Sequence, residues 1–288
     1  GYASARRMEE SNAWRNPIDL IDLLEDARAQ IPAALAEGQG LRGRWAGRAD
    51  LVPVLLRDDP HAIADALLAA LRAGAGEAEL AGAVTYAAAL RIARFHTSNE
   101  FGDWDTALHT FTFANAVHQG LRRLEGYEPP DEYLLLLRGV FDAAMSIYLD
   151  RFLNIPAARL PASNGTSGTA PSVQALADLL DQQQQVNEAG DAVGSYLFEG
   201  GDAEALRAEL GALLLREDRN FHTIQCVETA FRQHELLSAE PDSQEEAVLV
   251  LVAAARYLGA HAPTMRAQGQ TFGIARRLHR NEKLFEGE

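Results

Sequence analysis

One cysteine, one lysine and no long apolar run set the first limits on this chain of 288 residues. Cys226 alone excludes an intramolecular disulfide and any thiolate cage for zinc or an iron–sulfur cluster. The longest apolar stretch, AVLVLVAAA from Ala247 to Ala255, stops at Arg256, far short of the roughly 20 residues that span a bilayer. Positive charge is scarce as well. The 26 Lys and Arg stand against 41 Asp and Glu, a formal charge of −15, and this excludes the concentrated positive field of a nucleic-acid-binding surface. Lys283 is the only lysine, which reads as genome bias toward arginine rather than function. The opening GYASARRMEE lacks the apolar core of a signal peptide, so with one cysteine the cytoplasm is the expected compartment. No dinucleotide fingerprint, P-loop, GxSxG or HExxH motif occurs.

What the chain does have is Ala, Leu, Arg and Glu in long helical periods, with few alternating β-branched runs. Pro17 after Asn16 predicts a helix to about Ala36, the proline sitting where its missing N–H costs nothing. Asp59-Pro60 repeats the signal for a helix to about Arg72, ended by Gly74 and Gly76. Further helices are predicted from Glu77 to about Phe95, Asp103 to about Leu124 and Pro130 to about Phe152. Others start near Val173, Ala203, Arg219 and Gln244, and a last one spans Met265 to Phe285. The prediction is an all-α protein of about ten helices, a multi-helix bundle with buried, histidine-bearing central helices. Residues 1–288 read as one helical domain, with a Pro/Gly/Ser-rich loop at 155–172. Phe-His-Thr occurs at Phe95–Thr97 and again at Phe221–Thr223, a coincidence rather than a fixed-period repeat.

From Thr106 to Leu121 there is no charged residue, yet the segment carries His109 and His118. At about 100° per residue, Trp104, Leu108, Phe111, Asn115 and His118 share one face, with Thr106, His109, Phe113, Ala116 and Gly120 roughly opposite. A helix uncharged on all sides predicts a central, buried helix whose imidazoles need interior partners. Upstream, His96 ends a second uncharged helix, in a polar segment with Glu100, Asp103 and Asp105. Farther on, NFHTIQCVETAFRQHELL carries His222, Glu228 and His234. His234 shares an apolar stripe with Thr223, Val227 and Ala230, His222 lies with Cys226 and Thr229, and Glu228 falls about 120° from each. One undistorted helix cannot aim all three at one ion.

Two readings of these histidines stand side by side. In one they are core residues hydrogen-bonded to neighbouring helices. In the other, facing helices use His96, His109, His118, His222 and His234 to hold histidine-rich non-haem iron or a haem, as bundles do. The Glu-x-x-His pattern of carboxylate-bridged di-iron proteins is absent: Glu228 has Phe231 three residues on and Glu100 has Asp103. Phe111, Phe113, Asn115 and Phe231 are the expected walls of a dry pocket beside the metal or haem. Glu228 is the expected proton-handling carboxylate, with an ion pair to Arg232 as the plain alternative. Asp142, one turn after Arg138, is either a structural ion pair or a second catalytic or supporting carboxylate. Cys226 reads as a small buried residue. Arg276, Arg277, His279, Arg280 and Lys283 concentrate positive charge in the last helix, either a solvated face or a docking surface for an acidic electron-transfer partner.

FHTSNEFGDWDTALHTFTFANAVHQGL and TFGIARRLHR, within about Arg94–Leu124 and Gln268–Arg280, resemble the helical domain of questin oxidase-like proteins, found alone or fused ahead of a Rieske iron–sulfur domain in bacteria. The resemblance implies an O2-using oxidoreductase, with the five histidines above in the corresponding histidine-bearing segments. It transfers no substrate beyond the family's association with aromatic polyketides. The chain has no Cys–His pairs of a Rieske site, so any such domain would lie on a longer natural chain or on another protein, meeting this one at the basic C-terminal helix. The functional expectation is a metal- or haem-dependent oxidase or oxygenase acting on a small organic molecule. Its alternatives are a haem-binding or sensing protein and a helical scaffold with structural histidines.

Overall fold

The computed structural model describes residues 18–125, 133–162 and 172–284, and among these it forms twelve α-helices and no strand. The helices are α1 (Leu20–Gly38), α2 (Arg48–Leu55), α3 (Pro60–Arg72), α4 (Glu77–Ala93), α5 (Phe101–Leu124) and α6 (Tyr133–Leu149). They continue with α7 (Ala175–Leu180), α8 (Val186–Phe198), α9 (Ala203–Arg216), α10 (Phe221–Ser238), α11 (Gln244–His261) and α12 (Ala267–His279). The all-α bundle is as the sequence predicts, and no described helix is long and apolar enough to cross a membrane.

Local chemistry sets most boundaries. Asp59 caps α3 by accepting from the Ala62 N–H at 3.0 Å, with Pro60 at the first helical position. Asp19 caps α1 in the same way through the Ile21 N–H at 3.0 Å, and Asn220 caps α10 through the Thr223 N–H at 3.0 Å. The start signals at Pro17 and Pro130, residues 163–171 of the long loop and Phe285 lie outside the described residues. The helix expected near Val173 is two, α7 and α8, separated by a turn in which Gln184 takes φ 63°. The unexpected α2 has only eight residues and contains Pro53, two features that hide a helix from periodicity.

Two helices form the centre of the core. In α4 every residue but Glu79 is buried, and α2, α5, α6 and α11 pack around it. The second central helix is α11, flanked by α8 and α10. By contrast α5 buries one face only: Trp104, Leu108, Phe111, Asn115 and His118 are buried, while His109, Phe113 and Ala116 are exposed. The expectation that α5 is buried all round is therefore corrected. Uncharged Thr, His, Ala and Gln can face water, so an absence of charge marks a core helix less surely than an apolar stripe does.

Two buried arginines tie the helices together. Arg91 of α4 donates to the Ile147 carbonyl, the Asn154 side chain and the Leu56 carbonyl, each at 3.1 Å. Arg256 of α11 donates to the Phe95 carbonyl at 2.6 Å and to Asn187 Oδ1 at 2.8 Å. It thereby pins the segment that leads from α4 into α5. Burial lowers both guanidinium groups to about 10, which leaves them charged at neutrality. Gly190 on α8 makes room for Arg256, because a Cβ there would stand 2.8 Å from its Cγ.

Candidate functional site

The two helices singled out by their histidines, α5 and α10, do face each other, and they meet at two levels. At the first level the carboxylate of Asp105 is a hub. Its Oδ1 accepts from Tyr257 Oη at 2.5 Å. Its Oδ2 lies 3.7 Å from His222 Nδ1, and its Oδ1 lies 3.8 Å from His261 Nε2. One turn after Asp105, His109 sets its ring edge-on to His222 with centroids 5.0 Å apart. Three helices therefore supply the cluster: α5 gives Asp105 and His109, α10 gives His222, and α11 gives Tyr257 and His261.

Packing fixes these groups. The rings of Tyr257 and His261 stack at 4.2 Å, and Trp104 stands edge-on to Tyr257 at 6.4 Å. Phe95 backs Trp104 at 4.6 Å. His261 Nδ1 donates to the Tyr257 carbonyl at 2.7 Å, so the lone pair of the neutral ring is at Nε2, on the side of Asp105. Burial lowers the His261 pKa below the ordinary imidazole range, although the Tyr257 carbonyl and Asp105 oppose that shift. Burial, followed by the bond to Asp105, raises the Tyr257 phenol far above its usual value and keeps it a donor. The cluster is not sealed. Asp105 keeps 32% of its side-chain surface and His222 19%, and His109 is exposed. Trp104 and Ala260, chain neighbours of Asp105 and His261, also border a cleft of about 590 Å3 with Asn99, Glu100 and Asn187.

At the second level the polar groups are more deeply buried, although His118 borders a cleft of about 420 Å3 with Arg48, Arg122 and Glu246. Gln233 of α10 donates through Nε2 to Asn115 Oδ1 at 2.8 Å and to His118 Nδ1 at 3.2 Å. Gly82 of α4 backs the imidazole, since a Cβ there would lie 3.2 Å from His118 Cε1. Burial, with Arg122 and Arg48 adding to it, pushes His118 down to about 4. His234 is buried beside Gln233, with Nε2 3.5 Å from Ser238 Oγ and no partner for Nδ1 among the described residues.

The five histidines named from sequence are thus split. His109 and His222 are together. His118 is nine residues along α5 from His109, roughly 13 Å away, and His234 is twelve residues along α10 from His222, roughly 18 Å away. His96 sits in the loop before α5, where its Nδ1 lies 2.6 Å from Ser98 Oγ. One ion or haem cannot be held by all five, and no three His, Cys, Asp or Glu side chains among the described residues are placed to hold a metal. The expected pocket walls also separate. Phe111 is in the core, Phe113 is exposed, Phe231 is half-buried, and Asn115 serves Gln233. Glu228 faces solvent and pairs with Arg232 at 3.0 Å, so burial does not force a partner on it as supposed. Asp142 lies 3.8 Å from Arg138, which also reaches Glu25 of α1 at 3.6 Å, and burial raises its pKa.

Asp105, Tyr257 and His261 were the groups not chosen from sequence. Their signal is a polar or titratable pair at four-residue spacing, Asp105 with His109 and Tyr257 with His261, near the ends of otherwise apolar helices. Comparison with protein-family models, curated proteins and solved structures finds no match to this chain.

Proposed function

We propose that Asp105, His109, His222, Tyr257 and His261 form the active centre of an oxidoreductase that deprotonates a small phenolic or enolisable substrate for oxidation by dioxygen. The observation that carries this reading is the convergence of two imidazoles and a phenol around one carboxylate that keeps access to solvent, with a third imidazole, His109, edge-on to His222. Neutral His261 is the base. The substrate proton passes to its Nε2, and the electron pair stays on the substrate as a phenolate or enolate. Asp105 then offsets the new imidazolium charge, while Tyr257 Oη holds the carboxylate in place. His222, 3.7 Å from Asp105 and partly exposed, stands beside the carboxylate where a substrate hydroxyl can reach it. The anion is the electron-rich form that gives electrons to dioxygen, the oxidant implied by the questin oxidase-like resemblance.

The test is oxygen uptake with a panel of polyhydroxylated aromatic compounds, using the parent, Asp105→Asn and His261→Ala. Loss of the base or its carboxylate lowers kcat by about 10²–10⁴ with helical content unchanged. Parent-rate turnover in both variants refutes the assignment. A substrate-free arm is NMR titration of the imidazoles. Because Asp105 holds the His261 pKa up against burial, Asp105→Asn drives it lower still, and an unmoved value removes Asp105 from the site.

A further inference from the structure

The C-terminal helix α12 has thirteen residues and buries none of them. Its root is clamped. Asp218 accepts from the Ala267 and Gln268 N–H groups at 2.9 and 3.2 Å. Glu217 accepts from the Thr264 N–H at 2.8 Å and from Arg266 Nε at 3.0 Å. Beyond that root the helix stands clear, exposing Phe272 by 68% and Leu278 by 55% beside Arg276, Arg277 and Arg280. A free helix of this length is marginal in water, so an exposed apolar and basic one needs a covering surface. Phe272, Arg276 and Arg280 recur every four residues and share a face, and aromatic and arginine side chains are the usual anchors of interfaces.

The acidic chain carries a complementary surface. Between α1 and α3 runs a cleft of about 520 Å3 with Leu23, Ala27 and Leu68 at its floor. Asp22 and Asp26 of α1 and Asp65 of α3, all exposed, stand at its rim. Asp22 and Asp26 are one helical turn apart, the same spacing as Arg276 and Arg280. Since α12 is exposed along its whole length, it is not seated in the groove of its own chain.

We propose that α12 of one copy seats in the α1–α3 groove of a second copy, with Phe272 on the apolar floor and Arg276 and Arg280 paired with Asp22, Asp26 and Asp65. Reciprocal exchange about a two-fold axis closes a dimer. The test is sedimentation velocity on the full chain and two charge reversals, Arg276→Glu/Arg280→Glu and Asp22→Lys/Asp26→Lys. The parent dimerises, and each reversal alone sets like charges against each other and weakens association by about a hundredfold. Mixing the two variants in equal amounts restores the dimer, because every arm again meets a groove of opposite sign. That rescue also shows that both variants fold. A monomeric parent overturns the proposal, and it is the result if the groove is filled by the chain's own residues before Ile18 or if α12 serves an acidic partner of another kind. Reversed variants that still dimerise, or a mixture that stays monomeric, overturn it equally.

Discussion

Replacing His118 by asparagine tests the more buried level of the α5–α10 contact. The asparagine Oδ1 takes the place of Nδ1 as acceptor for Gln233 but has no proton to gain in this range. In the folded protein burial holds His118 at about 4, whereas an unfolded chain has it near the ordinary value of about 6.5. Between those values the unfolded chain binds a proton that the folded chain refuses. Stability from this source is intact above pH 6.5 or so and is lost as pH falls toward 4. The difference of about 2.5 in pKa corresponds to roughly 3 kcal/mol. Asp150 acts oppositely in the same window. Its carboxyl is raised by burial to about 6, so its contribution is lost as pH rises. The two effects nearly cancel in the parent, and the quantity to measure is therefore the difference between parent and variant, in which Asp150 is common to both. Urea unfolding followed by circular dichroism, from neutrality to about pH 4, measures it. The parent loses roughly 3 kcal/mol more than His118→Asn over that range. Parallel curves would refute a neutral, desolvated His118.

Two further substitutions probe the supports of the site. Gly82→Ala places a methyl 3.2 Å from His118 Cε1; thermal unfolding registers a loss of about 1–3 kcal/mol that shrinks in a His118→Asn background, and additive losses would mean the two do not touch. Arg256→Leu strands the Phe95 carbonyl and Asn187; it costs about 2–4 kcal/mol and speeds amide exchange in residues 94–100, and unchanged exchange there would show that Arg256 does not hold the approach to α5.

The fold was legible because its signals are local. Asp59-Pro60, the glycines after Arg72 and the uncharged face through Trp104, Phe111 and His118 each act within one or two turns, and the structure places them as periodicity predicts. The site was only half legible. His109 and His222 are legible and do meet, but the four-residue pairs of Asp105 with His109 and Tyr257 with His261 do not reveal that the two pairs meet across 152 positions. Glu228 misled for a related reason: its uncharged sequence neighbours suggested burial, whereas it lies on the solvent side of α10 with Arg232.

The two levels of contact between α5 and α10 differ in burial: His118 keeps 7% of its surface, whereas the Asp105 side chain keeps 32%. At the His118 level Gln233 bridges Asn115 and His118, and burial suppresses proton uptake by His118 to about pH 4. Such a network orders helices against one another and is costly to perturb. At the Asp105 level the distances from the carboxylate to His222 and His261, 3.7 and 3.8 Å, are too long for direct hydrogen bonds. Among the described residues Tyr257 is the group that hydrogen-bonds Asp105 directly, and it anchors the carboxylate without neutralising it. The more buried level holds the register of the helices, whereas Asp105 and His222 keep 32% and 19% of their side-chain surface exposed.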